Sequence, residues 1–288
     1  MMNKLGLHAL VWVGGWSPDE CRTAIESTKE AGYDLIEIPV LDPSTIDVAD
    51  TARVLESVGI DATCSLGLGF DTDISSDDPE IVARGARLLD DALSVARDLG
   101  SPYLCGVIAA ALGKYDRPPT ALGWEHCRTS LRTLAERAAA SDITLGIEVV
   151  NRYDSNLINT AEQALRMIDE IGEPNVMVHL DSYQMNIEEE DYRKPVLAVG
   201  DRLGYVHISE SHRGYLGTGT VDFDTFFATL REVGYGGPVV FESFSSKVVS
   251  PALSNTLGIW REHWQDGMDL AQHARAFMTE RLMDGTVG

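Results

Sequence analysis

Four residues with metal-binding side chains stand at the ends of four short apolar runs. Glu148 ends Leu145-Gly146-Ile147-Glu148, and Asp181 ends Val178-His179-Leu180-Asp181. His207 lies in Tyr205-Val206-His207-Ile208, and Glu242 ends Val239-Val240-Phe241-Glu242. Successive side chains of a strand point to opposite faces. Leu145 and Ile147, Val178 and Leu180, Val206 and Ile208, and Val239 and Phe241 then share one apolar face. Glu148, Asp181, His207 and Glu242 fall together on the other. Carboxylate and imidazole donors without a thiolate suit Mn²⁺, Mg²⁺, Co²⁺ or Fe²⁺. Three carboxylates, a neutral imidazole and a divalent ion leave one net negative charge, so a proton held by one glutamate would neutralise the set. A polarised carbonyl acidifies the neighbouring C–H by stabilising an enediolate. With Glu148 and Glu242 on strands separated by two others, one could remove that proton while the other delivers one to the opposite face. The result is inversion of a stereocentre next to a carbonyl, with Asp181 and His207 serving mainly as ligands.

The four runs belong to a longer alternation. Strands are predicted near 5–12, 34–40, 60–67, 102–108, 143–149, 175–181, 203–209 and 237–242. Helices are predicted near 18–31, 45–58, 79–99, 120–140, 161–171, 190–200 and 223–233, with a terminal helix over about 252–281. Ser17-Pro18-Asp19-Glu20 and Thr160-Ala161-Glu162-Gln163 read as capping boxes, Asp78-Pro79 as another helix start, and Asp222 as a cap. Gly32, Gly100, Gly172 and Gly234 mark helix ends. Regular strand–helix alternation requires parallel pairing with helices covering the sheet. Eight units predict closure into an α/β (β/α)₈ TIM barrel, and no G-x-G-x-x-G follows the first strand to suggest an open sheet. The four candidate ligands would then converge at the C-terminal mouth, where such barrels carry their active sites. No linker or composition shift divides the chain, so residues 1–288 are expected to form a single domain. The acidic stretch 69–78 is expected to be a surface loop.

The formal net charge of −22 repels phosphate backbones and anionic membranes, which argues against nucleic-acid and membrane partners. It also disfavours multiply charged phosphorylated substrates. No apolar run reaches the ~18 residues of a membrane helix, and the opening Met1-Met2-Asn3-Lys4-Leu5-Gly6 lacks the apolar core of a secretory signal. Cys21, Cys64, Cys105 and Cys127 are dispersed without a C-x-x-C pair, which predicts buried reduced thiols and a cytoplasmic setting.

Flanking residues add a resemblance. Glu148-Val149-Val150-Asn151-Arg152-Tyr153, His179-Leu180-Asp181-Ser182-Tyr183 and Met185-Asn186-Ile187-Glu188-Glu189 are similar to stretches of the ketose 3-epimerases. So are Val206-His207-Ile208-Ser209-Glu210-Ser211-His212-Arg213-Gly214 and the opening Gly6-Leu7-His8-Ala9-Leu10-Val11-Trp12. That family, within a wider sugar isomerase superfamily, includes D-tagatose, D-allulose (psicose) and L-ribulose 3-epimerases. The resemblance implies one Mn²⁺-type ion per chain at Glu148, Asp181, His207 and Glu242, with Mg²⁺ or Co²⁺ as alternatives. It implies a free ketose as substrate, proton exchange at C3 by the two glutamates, and a homodimer or homotetramer. It further implies that Arg213 holds substrate oxygens near C1 to C3, and that His8, Trp16 and Phe244 surround the sugar's far end. Two positions depart from the family: Gln184 where His is common, and Asp154 where Glu is frequent. Both are expected to contact substrate, so these changes bear on rate and substrate preference.

His179, one inward step below Asp181, is expected to support the ligands or fill the core rather than act as a fifth ligand. His212 is expected to be a loop residue, and Trp260 and Trp264 to belong to the terminal helix. Aldose–ketose or hydroxypyruvate isomerisation on the same metal is the competing chemistry. A barrel phosphodiesterase acting on abasic DNA would need more ligands and a basic groove, which the charge opposes. A metal-stabilised sugar-binding protein without turnover is the non-enzymatic alternative.

Overall fold

The protein is described by a computed structural model over residues 3–283, so Met1 and Met2 of the opening segment lie outside the described residues. Eight parallel strands follow one another around a closed barrel: β1 (Leu5–His8), β2 (Leu35–Pro39), β3 (Asp61–Leu68) and β4 (Tyr103–Ala111), then β5 (Thr144–Glu148), β6 (Val176–Asp181), β7 (Leu203–Ile208) and β8 (Val239–Phe241). Pairing of Leu5 with Val239 and Leu7 with Phe241 closes the ring. Around it run α1 (Pro18–Glu30), α2 (Val48–Val58), α3 (Pro79–Asp98), α4 (Ala121–Ala139) and α5 (Ala161–Ile171). They continue with α6 (Ser182–Glu188), α7 (Arg193–Val199), α8 (Phe223–Glu232), α9 (Pro251–Leu257) and α10 (Gly267–Met283).

Local chemistry accounts for the helix starts. The Ser17 and Thr160 side chains accept from the backbone of Glu20 and Gln163, whose own side chains return the bond. Asp78 and Asp222 cap α3 and α8 through Glu80 N and Thr225 N. The apolar strand face packs outward on the helices, where Phe226 and Phe227 are fully buried. Burial of each such side chain contributes about 1.5–3 kcal/mol. The inward face has its own small core of Leu35, Cys105, Tyr205 and Val240. That interior is narrow: a Cβ on Gly146 would lie 2.8 Å from Cys105 Cβ. This apolar plug is the floor on which the site rests.

Several boundaries differ from the sequence expectation, each for a physical reason. The first strand ends at His8 rather than near residue 12. His8 Nδ1 accepts from Leu10 N, and Ala9–Val11 turn into a 3₁₀ segment. The predicted helix over 190–200 contracts to α7, and α6 occupies the turn directly after β6, started by the Asp181 carboxylate accepting from Tyr183 N at 2.8 Å. The terminal helix over 252–281 is two helices, because Gly258 adopts φ 65° and ends α9. Trp260 and Trp264 therefore lie in the connection between α9 and α10, not within a helix. The acidic stretch 69–78 is a loop, but Asp73 is buried in it and its carboxylate accepts from Tyr115 OH at 2.6 Å. All four cysteines are buried and free. Among the described residues no helix is long and apolar enough to cross a membrane.

Candidate active site

The strand parity places the site as the sequence pattern requires. Glu148 ends β5, Asp181 ends β6, His207 is the penultimate residue of β7, and Glu242 follows β8. The register sets Asp181 beside His207, and all four side chains are buried at the C-terminal mouth. Ligand atoms of Asp181, His207 and Glu242 lie within 4.8 Å of one another, as do those of Glu148, His179 and His207. His207 thus joins two overlapping trios. The residues fit a divalent cation: His207 Nδ1 is a buried nitrogen without a hydrogen-bond partner, 3.5 Å from Glu242 Oε1. A metal ion supplies the partner such a nitrogen lacks, and the surrounding oxygens are of the kind hard cations take.

Charge is distributed unevenly over the carboxylates. Burial pushes the Glu148 carboxyl well above the usual range, and the Glu242 and Asp181 charges push it further. Burial would raise Glu242 as well, but Arg213, His207 and His8 more than offset it and hold that group below its ordinary value. Asp181 is raised by burial, with Arg213 opposing. Burial disfavours a charged His207, yet Glu37 and Glu242 lift it to about 10. The two glutamates are therefore poised differently, Glu148 toward holding a proton and Glu242 toward ionisation.

Arg213 reaches into the same cluster. Its Nη1 donates to Asp181 Oδ2 at 3.0 Å and Ser209 Oγ at 2.9 Å, and also to Glu242 Oε2. Its guanidinium stacks on Tyr183 at 3.8 Å, with Phe244 at 5.1 Å. The backbone at Arg213 has φ 61°, a left-handed conformation that costs about 1–2 kcal/mol for a residue with a Cβ. Surrounding bonds hold it there. Arg213 N donates to Glu210 O at 2.8 Å, and Ser243 Oγ donates to Arg213 O. Glu210, itself buried, gathers Ser211 N and Gly217 N on its carboxylate at 2.8 and 2.9 Å. Trp264 Nε1 donates to Ser243 Oγ at 2.8 Å, so this tryptophan braces the arginine's support from outside.

His8, Gln184 and Phe244 line the cleft together with Glu148, His207, Arg213 and Glu242. Asp154 and Trp16 are not among its lining residues. Asp154 instead accepts from Gln184 Nε2 at 3.2 Å and Asn151 Nδ2 at 2.8 Å. Gln184 Oε1 accepts from Asn151 N at 2.8 Å, which fixes the amide's orientation through an unambiguous backbone donor. Trp16 is buried among core residues and gives its indole N–H to Thr51 Oγ1 at 3.1 Å. His212 is a loop residue whose ring stacks on His263 at 5.6 Å.

One participant is not evident from the ligand pattern of the sequence. Glu37 on β2 is fully buried and reaches His207 Nε2 at 2.8 Å. Its one signal is a lone acid in the apolar run Leu35-Ile36-Glu37-Ile38-Pro39, though no ligand motif surrounds it. His179, expected to stand behind the ligands, has two buried nitrogens without partners and sits within ligand distance of Glu148 and His207.

Fold and site together define a barrel of the sugar isomerase type, and the family model described as the xylose isomerase-like TIM barrel matches residues 25–279. A ketose 3-epimerase from Arthrobacter globiformis is 49% identical, the match covering 97% of this chain and 96% of the relative. An L-ribulose 3-epimerase from Methylomonas sp. strain DH-1 is 52% identical over 96% of this chain and 97% of its own. A crystal structure of a D-allulose 3-epimerase from Methylomonas sp. in complex with D-allulose superimposes with a TM-score of 0.96 at 51% identity, covering 97% of each chain. The chain belongs to the ketose 3-epimerases of that family.

Proposed function

We propose that this protein epimerises free ketoses at C3, interconverting pairs such as D-allulose and D-fructose, with D-tagatose and L-ribulose as further candidates. The observation that carries the reading is the convergence of Glu148 and Glu242, buried at the ends of β5 and β8 on either side of Asp181 and His207, in a chain about half identical to ketose 3-epimerases. Glu148, Asp181, His207 and Glu242 would hold one divalent ion of the kind that oxygen and imidazole donors take, with Mn²⁺ favoured by the family likeness and Mg²⁺ or Co²⁺ as alternatives. When bound, that ion supplies Lewis-acid polarisation of the ketose carbonyl, which acidifies the C3–H bond.

The residues of the chain do the rest. In one direction the Glu242 carboxylate takes the proton from C3 while Glu148 delivers its own to the opposite face; the reverse reaction exchanges their roles. No electrons are gained or lost, and each turnover leaves the two carboxyls with their proton exchanged. Arg213 donates to sugar oxygens near the reacting carbon and keeps Glu242 ionised. Gln184 offers its N–H₂, since its oxygen is already engaged, and Asp154 orients that amide. His8 and Phe244 wall the sugar's apolar edge.

Incubation with D-allulose and Mn²⁺ followed by chromatography tests the reading. D-Fructose is the expected product, and a product mixture containing aldoses alone would instead favour C1–C2 isomerisation. Family likeness supports a homodimer or homotetramer, which light scattering checks, and the free buried thiols are compatible with a cytoplasmic setting.

A further inference from the structure

The inner face of the barrel carries one acid that the proposed reaction does not use. Glu37 projects from β2 between the small core of Leu35, Cys105, Tyr205 and Val240 and the floor of the cleft, where His8 Nε2 lies 3.5 Å from its Oε1, and it has no exposure to solvent. Burying a carboxylate in such a place is unfavourable by several kcal/mol unless partners compensate. A leucine would satisfy packing alone.

Its partners identify its task. Glu37 Oε2 accepts from His207 Nε2 at 2.8 Å and from Tyr205 OH at 2.8 Å. Tyr205 OH is in turn 2.7 Å from Thr63 Oγ1, which ties the chain of bonds to β3. A carboxylate only accepts, so the bond places a hydrogen on His207 Nε2. That leaves Nδ1 as the nitrogen open to an ion, and Nδ1 is the buried, unpartnered atom that faces Glu242. The imidazole plane is fixed at one edge by Glu37 and packed edge-on by His179, whose ring centroid lies 4.2 Å away. Ligating histidines held this way by a carboxylate are oriented and made more basic, and loss of the carboxylate typically weakens metal binding about 10–100-fold.

We infer that Glu37 is the positioning residue of the metal centre: through the Thr63–Tyr205–Glu37 chain it sets the tautomer and orientation of His207 so that Nδ1 meets the ion. The inference rests on the metal-site reading above, and it adds a residue on a strand that contributes no ligand.

Calorimetric titration of the metal-depleted protein with Mn²⁺ tests it, comparing wild type, Glu37→Gln and Glu37→Leu. Glu37→Gln keeps an acceptor oxygen but loses the charge, so about a 10-fold rise in Kd is expected, whereas Glu37→Leu loses both and should approach 100-fold. Tyr205→Phe, which removes one donor to Glu37 and leaves the acid in place, should weaken binding less than either. A merely structural Glu37 would lower the melting temperature of the metal-free variants and leave Kd within about 3-fold of wild type, which overturns the inference. Should Glu37→Leu fail to fold, an unchanged Kd in Glu37→Gln overturns it equally. Absence of Mn²⁺ binding by the wild type would instead sink the metal-site reading itself.

Discussion

Replacing Glu148 by Gln is the most discriminating perturbation of the proposed chemistry. Burial holds the Glu148 carboxyl well above the ordinary range, so the fold accepts a neutral side chain there more readily than a charged one. Glutamine has the same length and is neutral. His179 Nδ1 is 3.9 Å from Glu148 Oε2, beyond a hydrogen bond, so no strong pairing is lost. The metal-free melting temperature should therefore stay within about 1 °C of wild type, as for a change with no lost bond or cavity. Turnover should behave differently, because an amide neither takes nor gives the C3 proton. Loss of a positioned acid–base group lowers kcat by about 10²–10⁴, roughly 3–5 kcal/mol in the barrier at about 1.36 kcal/mol per decade. Two assays in D₂O separate the steps: D-allulose to D-fructose conversion by chromatography, and deuterium entry at C3 by NMR. Net epimerisation should vanish, while slow exchange through Glu242 at one face persists. A variant that epimerises at wild-type rate with Mn²⁺ bound would refute the two-glutamate scheme.

Gln184→His should change kcat or the ranking of ketoses while the Mn²⁺ Kd stays within about 2-fold, since Gln184 contacts Asn151 and Asp154 rather than the ligands. Kinetics unchanged across a ketose panel would show that the amide is silent. Removal of metal by chelation should abolish activity, and Mn²⁺ restored to about 100 times its Kd should stabilise the fold by about 2.7 kcal/mol, a rise of roughly 5 °C for a chain of this size. Identical melting curves with and without the ion would refute it. Burial alone would raise the carboxyl of Glu188, but its bonds from Arg152 Nε and Nη2 at 2.7 and 2.8 Å hold it below the usual range. A depressed acid contributes stability above its unfolded pKa of about 4.5 and loses it as pH falls through the folded value. Glu188→Gln should thus melt lower than wild type at pH 7. The gap should close toward about pH 3; a gap that widens in acid would reverse the sign.

Much of this architecture is legible in the sequence because it depends on short-range rules. Alternation within Val239-Val240-Phe241-Glu242 is enough to put Glu242 inside, and capping at Ser17 and Thr160 is enough to start two helices. The misreadings share a different origin. A helix read across 252–281 passes over Gly258, whose left-handed backbone ends α9, and over the irregular connection of residues 258–266 that precedes α10. Trp16, placed near the sugar by family likeness, has its indole held by a bond to Thr51, 35 residues away in sequence, which no local pattern foretells. Glu37 is invisible for the same reason. Its meaning comes from His207, 170 residues further along the chain, and closure of the barrel is what makes them neighbours.

The division of labour between strands explains why the ligands cluster late in the chain while their support does not. Strands β5 to β8 each place one side chain at the mouth, and the apolar plug beneath prevents those side chains from relaxing inward. Such a ring of acids would repel itself if it stood alone. Arg213 offsets it from above, held in a strained conformation by Glu210, Ser243 and Trp264. Glu37 holds the one imidazole of the set by Nε2, so that its Nδ1 faces Glu242. A cation between them then relieves repulsion that the protein has already arranged. The fold's stability and the reactivity of Glu148 and Glu242 are in this way set by the same electrostatic balance, so a change at β2 should be felt at the mouth even though β2 lends no ligand.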